Sequence, residues 1–271
     1  MAVRTGAQMI IVCLLLILAG LAYFVWKYPN LRKAWFFPPR KGLVVLMYHY
    51  IKTAPFNNPG GPAFAITPNV FEQQLDFLRE HGYTPISVEQ LFHAQKTGHK
   101  HVQKPVLLTF DDATDDHYNN LFPILKKHNI PALIFIITDF VGKPGYMTWD
   151  QIREMQQSGL VEFGSHTCSH RRLRDLSEKE IIEEVTKSKQ VIEDNLQQPA
   201  RTFCYPFGAG AFDKHVRPHV LAAGYLVDFS TKHGINPWPW RSQKPLLRAF
   251  PRGQETLWDF HLEITRGRSR L

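Results

Sequence analysis

Cysteine is scarce in this sequence, with three residues in 271, and one of them, Cys13, lies inside an apolar run near the N-terminus. The other two, Cys168 and Cys204, are too few for a disulfide scaffold and do not indicate a redox compartment. Internal repeats, low-complexity tracts and a second linker are also missing after Pro38. These absences exclude a disulfide-rich module. Once the N-terminal segment is set aside, about 230 residues remain, enough for one α/β domain.

Excess charge is missing from most of the chain, although the formal net charge is +8. Residues 1–41 contain six basic residues and no acidic residue, so 26 basic and 24 acidic residues remain in 42–271. A domain with a net charge of only +2 lacks the basic surface that binds nucleic acid. We therefore predict no nucleic-acid partner.

The N-terminal segment contains a long apolar run, MIIVCLLLILAGLAYFVW, at Met9–Trp26. Its 18 residues carry no charge and are just long enough to cross a bilayer as a helix. Small residues within the run resemble a cleavage site, but the run continues beyond them, which favours an uncleaved anchor over a signal peptide. We divide the chain into 1–41, an anchor or signal segment with a basic tether, and a folded domain at 42–271.

Short apolar segments alternate with capped helices in that domain. Near-continuous apolar runs at 43–48, 105–110 and 132–137 are typical of parallel strands buried on both faces. Further strands are predicted at 161–166, 201–207 and 226–231. Capping-box spacing predicts helix starts at Ser87 with Gln90, Thr148 with Gln151, and Ser177 with Glu180. This alternation predicts a parallel sheet flanked by helices, open or closed into a barrel, with its chemistry at the carboxyl ends of the strands.

Potential metal ligands follow two of these strands. Asp111 and Asp112 end one strand, and two adjacent carboxylates repel each other unless a cation neutralises one of them. His166 and His170 follow another strand, and one turn of helix would place both imidazoles on the same face. Each pair alone is more often a helix cap or a packed surface pair. Together, two histidines and one carboxylate at neighbouring strand ends predict a catalytic zinc or similar site.

Three motifs carry a resemblance to a known family. The segments TFDDA, SHTCSH and CYPFGAG resemble the first three motifs of the polysaccharide deacetylase family, the NodB-homology group also called carbohydrate esterase family 4. LMYHYI at 46–51 and the segment 64–87 resemble the branch that acts on exported poly-N-acetylglucosamine. The resemblance covers roughly Val44 to Gly253; the first two motifs are specific and the third is looser.

The resemblance implies a deformed (β/α) barrel of the NodB type, preceded here by an N-terminal transmembrane helix. It implies that Asp112, His166 and His170 bind a divalent metal, most often zinc and otherwise cobalt or nickel. Asp111 is then the general base for an attacking water, and the backbone N–H of Phe207 donates to the oxyanion.

Tyr48 and His49 match a family position that lines the site. The residues predicted to contact substrate are His49 and Tyr205, with a buried histidine satisfied by hydrogen bonds as the alternative for His49. Trp238 and Trp240 could stack on sugar rings or simply pack a loop. Cys168 and Cys204 lie in loops that should both approach the metal, so a disulfide between them is a hypothesis.

The sequence also departs from the family pattern. Ala113 replaces the usual glycine after the acidic pair, which is tolerable if its φ is below zero. Cys204 stands where many members have an arginine that orients the base, and Arg201 or Arg248 could substitute for it. The family's late Leu-x-His, whose histidine protonates the leaving amine, has no match, and His261 reads as a structural residue in an amphipathic helix. No general acid is assigned.

The predicted function is a metal-dependent N-deacetylase that acts on N-acetylglucosamine residues of a cell-surface or exported polysaccharide. The alternatives are a deacylase of a lipid-linked sugar at the membrane and a catalytically silent glycan-binding module of an export machine. The resemblance places the domain outside the cytoplasmic membrane on a single N-terminal span. The basic residues that follow the span oppose this orientation under the positive-inside rule.

Overall fold

The structure is a computed structural model that describes residues 2–27, 39–53, 59–99, 102–241 and 243–269. The predicted apolar segment forms helix α1, Ala2–Lys27. Its portion Gln8–Lys27 is long and apolar enough to cross a membrane. Residues 28–38 of the predicted tether lie outside the described residues.

The domain is built on a parallel sheet that contains all six predicted strands. In chain order the strands are β1 Val44–Tyr48, β2 Tyr50–Ile51, β3 Ala65–Ile66, β4 Thr84–Pro85, β5 Pro105–Phe110, β6 Ala132–Ile136, β7 Val161–Ser165, β8 Thr202–Cys204 and β9 Val227–Phe229. The order across the sheet is β1-β5-β6-β7-β8-β9, with β4 beside the start of β5 and with β2 and β3 forming a separate pair. The strands that were not predicted, β2, β3 and β4, have two residues each, which is too short to show a hydrophobic period.

Helices connect these strands and cover the sheet. They are α2 Pro68–Glu80, α3 Val88–Thr97, α4 Phe122–His128, α5 Trp149–Gln157, α6 Glu178–Leu196, α7 Arg217–Ala222 and α8 Leu257–Arg266. The three predicted capping boxes are present at the starts of α3, α5 and α6, and a fourth, Thr256 with Asp259, begins α8. The sequence therefore encodes most helix starts locally.

The irregular segment Leu246–Ala249 lies between the first and last strands of the sheet. Leu246 forms a parallel bridge with Phe229 of β9, and Ala249 forms one with Leu46 of β1. The bridges are made by backbone hydrogen bonds of 2.8–2.9 Å on both sides. This segment joins the two sheet edges, so the sheet curls into the predicted deformed barrel and the side chain of Arg248 is enclosed.

Alternation along the strands separates two apolar layers. In β5, Val106 and Leu108 pack under the outer helices, whereas Leu107 belongs to an inner cluster with Phe135 and Phe229. Successive side chains of a strand point to opposite faces, so this alternation follows from strand geometry. The inner cluster fills the barrel and supports the residues at the carboxyl ends of the strands.

Candidate active site

The two adjacent aspartates end β5 in a backbone conformation that separates their side chains. Asp112 has a φ of 79° and Ala113 a φ of 54°, both in the left-handed region. The condition stated for Ala113, a φ below zero, is therefore not met. Alanine at such a φ costs about 1–2 kcal/mol, and the strain is held in place by the buried methyl group and by the Met147 amide, which donates to the Ala113 carbonyl.

Asp111 is held by a two-pronged contact with Arg248. Nη1 and Nη2 of Arg248 donate to the two carboxylate oxygens at 2.7 and 2.8 Å, and the guanidinium is fully buried. Its Nε donates to the Ser230 carbonyl at 2.8 Å. Arg201, the other candidate, pairs instead with Glu89 on the outside of the sheet. Arg248 therefore supplies the arginine that the motif comparison did not find.

This contact decides the charge of Asp111. Burial favours its protonated form, but the charge and hydrogen bonds of Arg248, with His166 and His49, outweigh burial and hold the pKa of Asp111 below its ordinary value. Asp111 is consequently an anion across the physiological pH range and can accept a proton.

Cys204 lies under this pair and is not in a disulfide. Its Sγ is 3.0 Å from Nη2 of Arg248 and 3.8 Å from both oxygens of Asp111. Cys168 and Cys204 are both buried free thiols, so the disulfide hypothesis is wrong. Cys204 occupies the space that an arginine at that position would need.

Asp112, His166 and His170 converge beside Asp111. Oδ1 of Asp112 lies 3.6 Å from Nε2 of His166 and 3.4 Å from Nε2 of His170. The expectation that one helical turn joins the histidines is wrong: β7 ends at Ser165, and Thr167 and His170 have φ values of 69° and 59°. A loop with two left-handed residues, rather than helical periodicity, brings the imidazoles together.

The chemistry of these three side chains fits a divalent cation. Oδ1 of Asp112 is buried without a hydrogen-bond partner among the described residues, and burial and the charge of Asp111 raise the pKa of Asp112 to about 8. Burial lowers the pKa of His166 to about 4 and that of His170 to about 3, which keeps both imidazoles neutral. The Nδ1–H of His166 donates to the Cys204 carbonyl at 2.8 Å, leaving the Nε2 lone pair for a metal.

Glu184 of α6 fixes the loop that carries the histidines, a role that the motif comparison missed. Its Oε2 accepts from the Cys168 and Ser169 amides at 2.8 and 3.0 Å. Its Oε1 accepts from the Ser169 hydroxyl and from Nη2 of Arg171, the latter at 3.2 Å. The sequence does contain a signal, because Glu184 is the charged residue on the apolar face of α6, next to Val185.

The third motif forms a tight turn beside the histidines. Phe207 has a φ of 58°, and its side chain is 53% exposed with its ring centroid 4.7 Å from that of His170. Gly208, at a φ of 68°, has no space for a Cβ because Thr231 Oγ1 would lie 2.1 Å away. Pro206 and Gly208 therefore shape this turn, which places the Phe207 ring beside the histidines.

The side chains of Asp111, Asp112, His166, His170 and Phe207 line one cavity of about 400 Å³. Its lining also includes His49, Phe64, Thr231, His233 and Phe250. Tyr205 does not line it: the ring is fully buried, and the hydroxyl donates to Asp228 at 2.9 Å. The predicted substrate contact of the Tyr205 side chain is therefore corrected to a structural role.

Comparisons with known proteins agree with this geometry. The family model described as polysaccharide deacetylase matches residues 98–227. A poly-beta-1,6-N-acetyl-D-glucosamine N-deacetylase of Staphylococcus aureus strain MRSA252 is 30% identical over 221 residues, which cover 71% of this chain and 75% of that protein. The chain belongs to the polysaccharide deacetylase family.

Solved structures of family members share the fold. The deacetylase PplD of Streptococcus pyogenes, in complex with acetate, superposes with a TM-score of 0.74 at 28% identity and covers 84% of this chain and 99% of that one. IcaB from Ammonifex degensii has a TM-score of 0.67 at 28% identity and covers 78% and 92% of the two chains. This polysaccharide deacetylase is accordingly a hydrolase that acts on amide bonds.

Three remaining residues have structural roles in this deacetylase. His261 packs its ring on Trp258 with centroids 5.4 Å apart and does not line the cavity. Trp238 donates its indole N–H to the Val102 carbonyl at 2.9 Å, and Trp240 is buried. Both tryptophans therefore pack a loop, and neither lines the active-site cavity.

Proposed function

We propose that residues 42–271 form a metal-dependent N-deacetylase that hydrolyses the acetamide groups of N-acetylglucosamine residues in a β-1,6-linked polysaccharide. One observation carries the proposal. Asp112 and the neutral His166 and His170 form a cluster beside Asp111, and all four residues line one cavity. The buried Arg248 keeps Asp111 anionic. The activity in the name of the Staphylococcus aureus relative supports the choice of polymer.

We assign the metal to Asp112, His166 and His170, with zinc as the first candidate and cobalt or nickel as alternatives. Two histidines and one carboxylate with open positions are a ligand set that suits zinc and similar ions. Such an ion, when bound, would lower the pKa of water and polarise the acetamide carbonyl.

Asp111 acts as the general base in this proposal. It takes a proton from the water whose oxygen attacks the carbonyl carbon, and Arg248 keeps it anionic before the reaction. The backbone N–H of Phe207 donates to the oxyanion of the tetrahedral intermediate. When the carbon–nitrogen bond breaks, acetate leaves and the sugar nitrogen gains a proton.

His49 is placed to carry that proton. Its Nε2 lies 3.8 Å from Oδ2 of Asp111, and the residue lines the cavity. Burial lowers the pKa of His49 to about 4, so it is neutral before the reaction and can pass the proton from Asp111 to the amine. In this proposal His49 is the general acid, a role to which the sequence assigned no residue.

We place the enzyme on the cytoplasmic membrane, with α1 as a single span and the catalytic domain outside. The length and apolar character of Gln8–Lys27 support the span, and an exported polymer as substrate supports the orientation. A deacylase of a lipid-linked sugar is the second candidate, because the same helix would hold the active site near lipid substrates.

The test is acetate release by the full chain in detergent with zinc added. Poly-β-1,6-N-acetylglucosamine, β-1,4-linked chitin oligomers and a lipid-linked N-acetylglucosamine are compared as substrates. The proposal predicts the highest kcat/KM for the β-1,6 polymer. Release from the lipid-linked sugar alone would select the second candidate, and release from none of the three would refute an N-acetylglucosamine deacetylase.

A further inference from the structure

A fourth histidine, His233, lines the active-site cavity beyond the residues used above. Its side chain is 32% exposed, whereas its Nδ1 is buried and has no hydrogen-bond partner among the described residues. With Nδ1 enclosed, the exposed part of the imidazole is left to face the cavity. The proposed hydrolytic steps assign it no role.

Behind His233 lies the carboxylate of Glu263 from α8, which is 2% exposed. Oε1 of Glu263 accepts from the Ser269 amide at 2.8 Å. Oε2 is buried and, like Nδ1 of His233, has no hydrogen-bond partner among the described residues. These two atoms lie 3.9 Å apart, an ion-pair contact that is longer than a hydrogen bond.

Two facing atoms of this kind are unusual. Buried polar atoms in folded proteins nearly always have a partner, and burying an unpartnered one costs about 1–3 kcal/mol. If these two residues only packed the fold, apolar residues in their place would stabilise it better. The buried carboxylate directed at a histidine of the active-site cavity therefore points to a ligand that contacts the imidazole.

We propose that His233 is a specificity-determining contact for the glycan and that Glu263 is its positioning residue, through the ion-pair contact between Oε2 and Nδ1. The ligand class is a sugar ring with hydroxyl or acetamide groups next to the reacting residue. This inference rests on the proposed function, because it takes the glycan to occupy the same cavity.

The protonation state of Glu263 and His233 decides whether the imidazole donates a hydrogen bond to the sugar or accepts one. With Glu263 ionised and His233 neutral, the Nδ1–H faces the carboxylate and Nε2 is an acceptor. One added proton either makes the ring an imidazolium or rests on Glu263 while the neutral ring takes the tautomer with its hydrogen on Nε2. In both cases Nε2 becomes a donor. The contact with the sugar therefore changes character when the pair gains a proton.

The charges around the pair place that change near neutral pH. Burial and the charge of Glu255 raise the pKa of Glu263 to about 7, against hydrogen bonds from Ser269 and the Phe250 backbone. Burial lowers the pKa of His233, as do the charges of Arg252 and Arg268, whereas the Gly267 backbone raises it. Tyr48 also interacts with this carboxylate: burial and the charge of Glu263 raise the pKa of Tyr48, so it stays neutral throughout this range.

The experiment measures kcat and KM of the full chain on N-acetylglucosamine oligomers from pH 5.5 to 8.5. His233→Ala removes the contact, and Glu263→Gln keeps the size of the side chain and an acceptor for Ser269 while removing the titration. His261→Gln, in the same helix as Glu263 but outside the cavity, is the matched control. Thermal unfolding establishes that each variant is folded.

The proposal predicts that His233→Ala raises KM by about three- to ten-fold, the loss of one hydrogen bond, with kcat within about two-fold. KM of the wild type changes near pH 7, and this change is missing in Glu263→Gln but kept in His261→Gln. An unchanged KM in His233→Ala, or the same pH dependence in Glu263→Gln, would overturn it.

A failure of this inference is distinguishable from a failure of the proposed function. If the wild type releases acetate and His233→Ala behaves like it, only the role of His233 is refuted. If the wild type releases no acetate, calorimetric binding of the oligomers at the two ends of the pH range tests the pair without turnover. Equal binding by wild type and His233→Ala then rejects the pair as a glycan contact.

Discussion

Arg248 and Asp111, which are 137 residues apart in the chain, meet through two hydrogen bonds of 2.7 and 2.8 Å inside the barrel. Arg248 belongs to the segment Leu246–Ala249, which closes the sheet, and Asp111 is the proposed general base. The closure of the fold and the charge state of the active site therefore depend on the same contact.

Replacing Arg248 by methionine should destabilise the fold by about 3–5 kcal/mol at pH 7, because the charge of Asp111 is left buried and unpaired. Arg248→Lys should keep more stability but lose at least about ten-fold in kcat, since a lysine cannot hold both carboxylate oxygens. Urea unfolding and acetate release measure the two effects.

The stability difference in Arg248→Met should depend on pH with a defined sign. In the wild type the pKa of Asp111 is lowered, so its contribution to stability is present above the unfolded pKa near 3.8 and is lost as pH falls below it. In the variant the charge and hydrogen bonds of Arg248 are lost, so burial raises the pKa of Asp111 and protonation relieves the buried charge. The difference in unfolding free energy between wild type and Arg248→Met should therefore be smaller at pH 4.5 than at pH 7. A larger difference at pH 4.5 would contradict the account.

A charge swap tests whether Cys204 occupies the place of the usual family arginine. Cys204→Arg alone puts a second guanidinium beside Arg248 in a fully buried site and should fail to fold or lose activity. Cys204→Arg combined with Arg248→Cys restores a single guanidinium within reach of Asp111. The double variant should be more stable and more active than Cys204→Arg, and additive losses would show that the two positions are not coupled.

Glu184→Gln should weaken metal binding by about 10–100-fold, because the carboxylate organises the loop that holds both histidines. Glu183→Gln, an exposed neighbour on the same helix, is the control and should bind metal like the wild type. Competition with a chromophoric chelator gives both affinities. Equal affinity in the two variants would show that Glu184 supports the fold only.

Phe207→Ala should raise KM several-fold and leave kcat nearly unchanged. The proposed oxyanion donor is the backbone N–H, which alanine retains, whereas the exposed ring against His170 is lost. Steady-state kinetics separates the two parameters. A large fall in kcat with an unchanged KM would indicate that the ring, rather than the amide, serves the reaction.

Local sequence patterns are sufficient for six strands of the sheet, three of the capped helix starts and the position of the acidic pair. Apolar runs such as 105–110 and capping boxes such as Ser177 with Glu180 depend on neighbouring residues, so they can be recognised without the fold. Arg248 could not be placed in this way, because its position depends on how the segment Leu246–Ala249 bridges the two edges of the sheet.

The errors of interpretation have similar physical reasons. The spacing of His166 and His170 fits a helix, but Thr167 and His170 adopt left-handed conformations that tertiary contacts impose. The Ala113 conformation is a further case, since residue preference alone disfavours it. Tyr205 was predicted from a motif position, whereas its hydroxyl is bound by Asp228 from the neighbouring strand β9.

The most direct test of the division of labour between the two aspartates is to measure bound metal and acetate release together in wild type, Asp111→Asn and Asp112→Ala. The account predicts one metal per chain and activity in the wild type, metal without activity in Asp111→Asn, and neither in Asp112→Ala. Acetate release at the wild-type rate by Asp111→Asn, or by metal-stripped wild type, would contradict it.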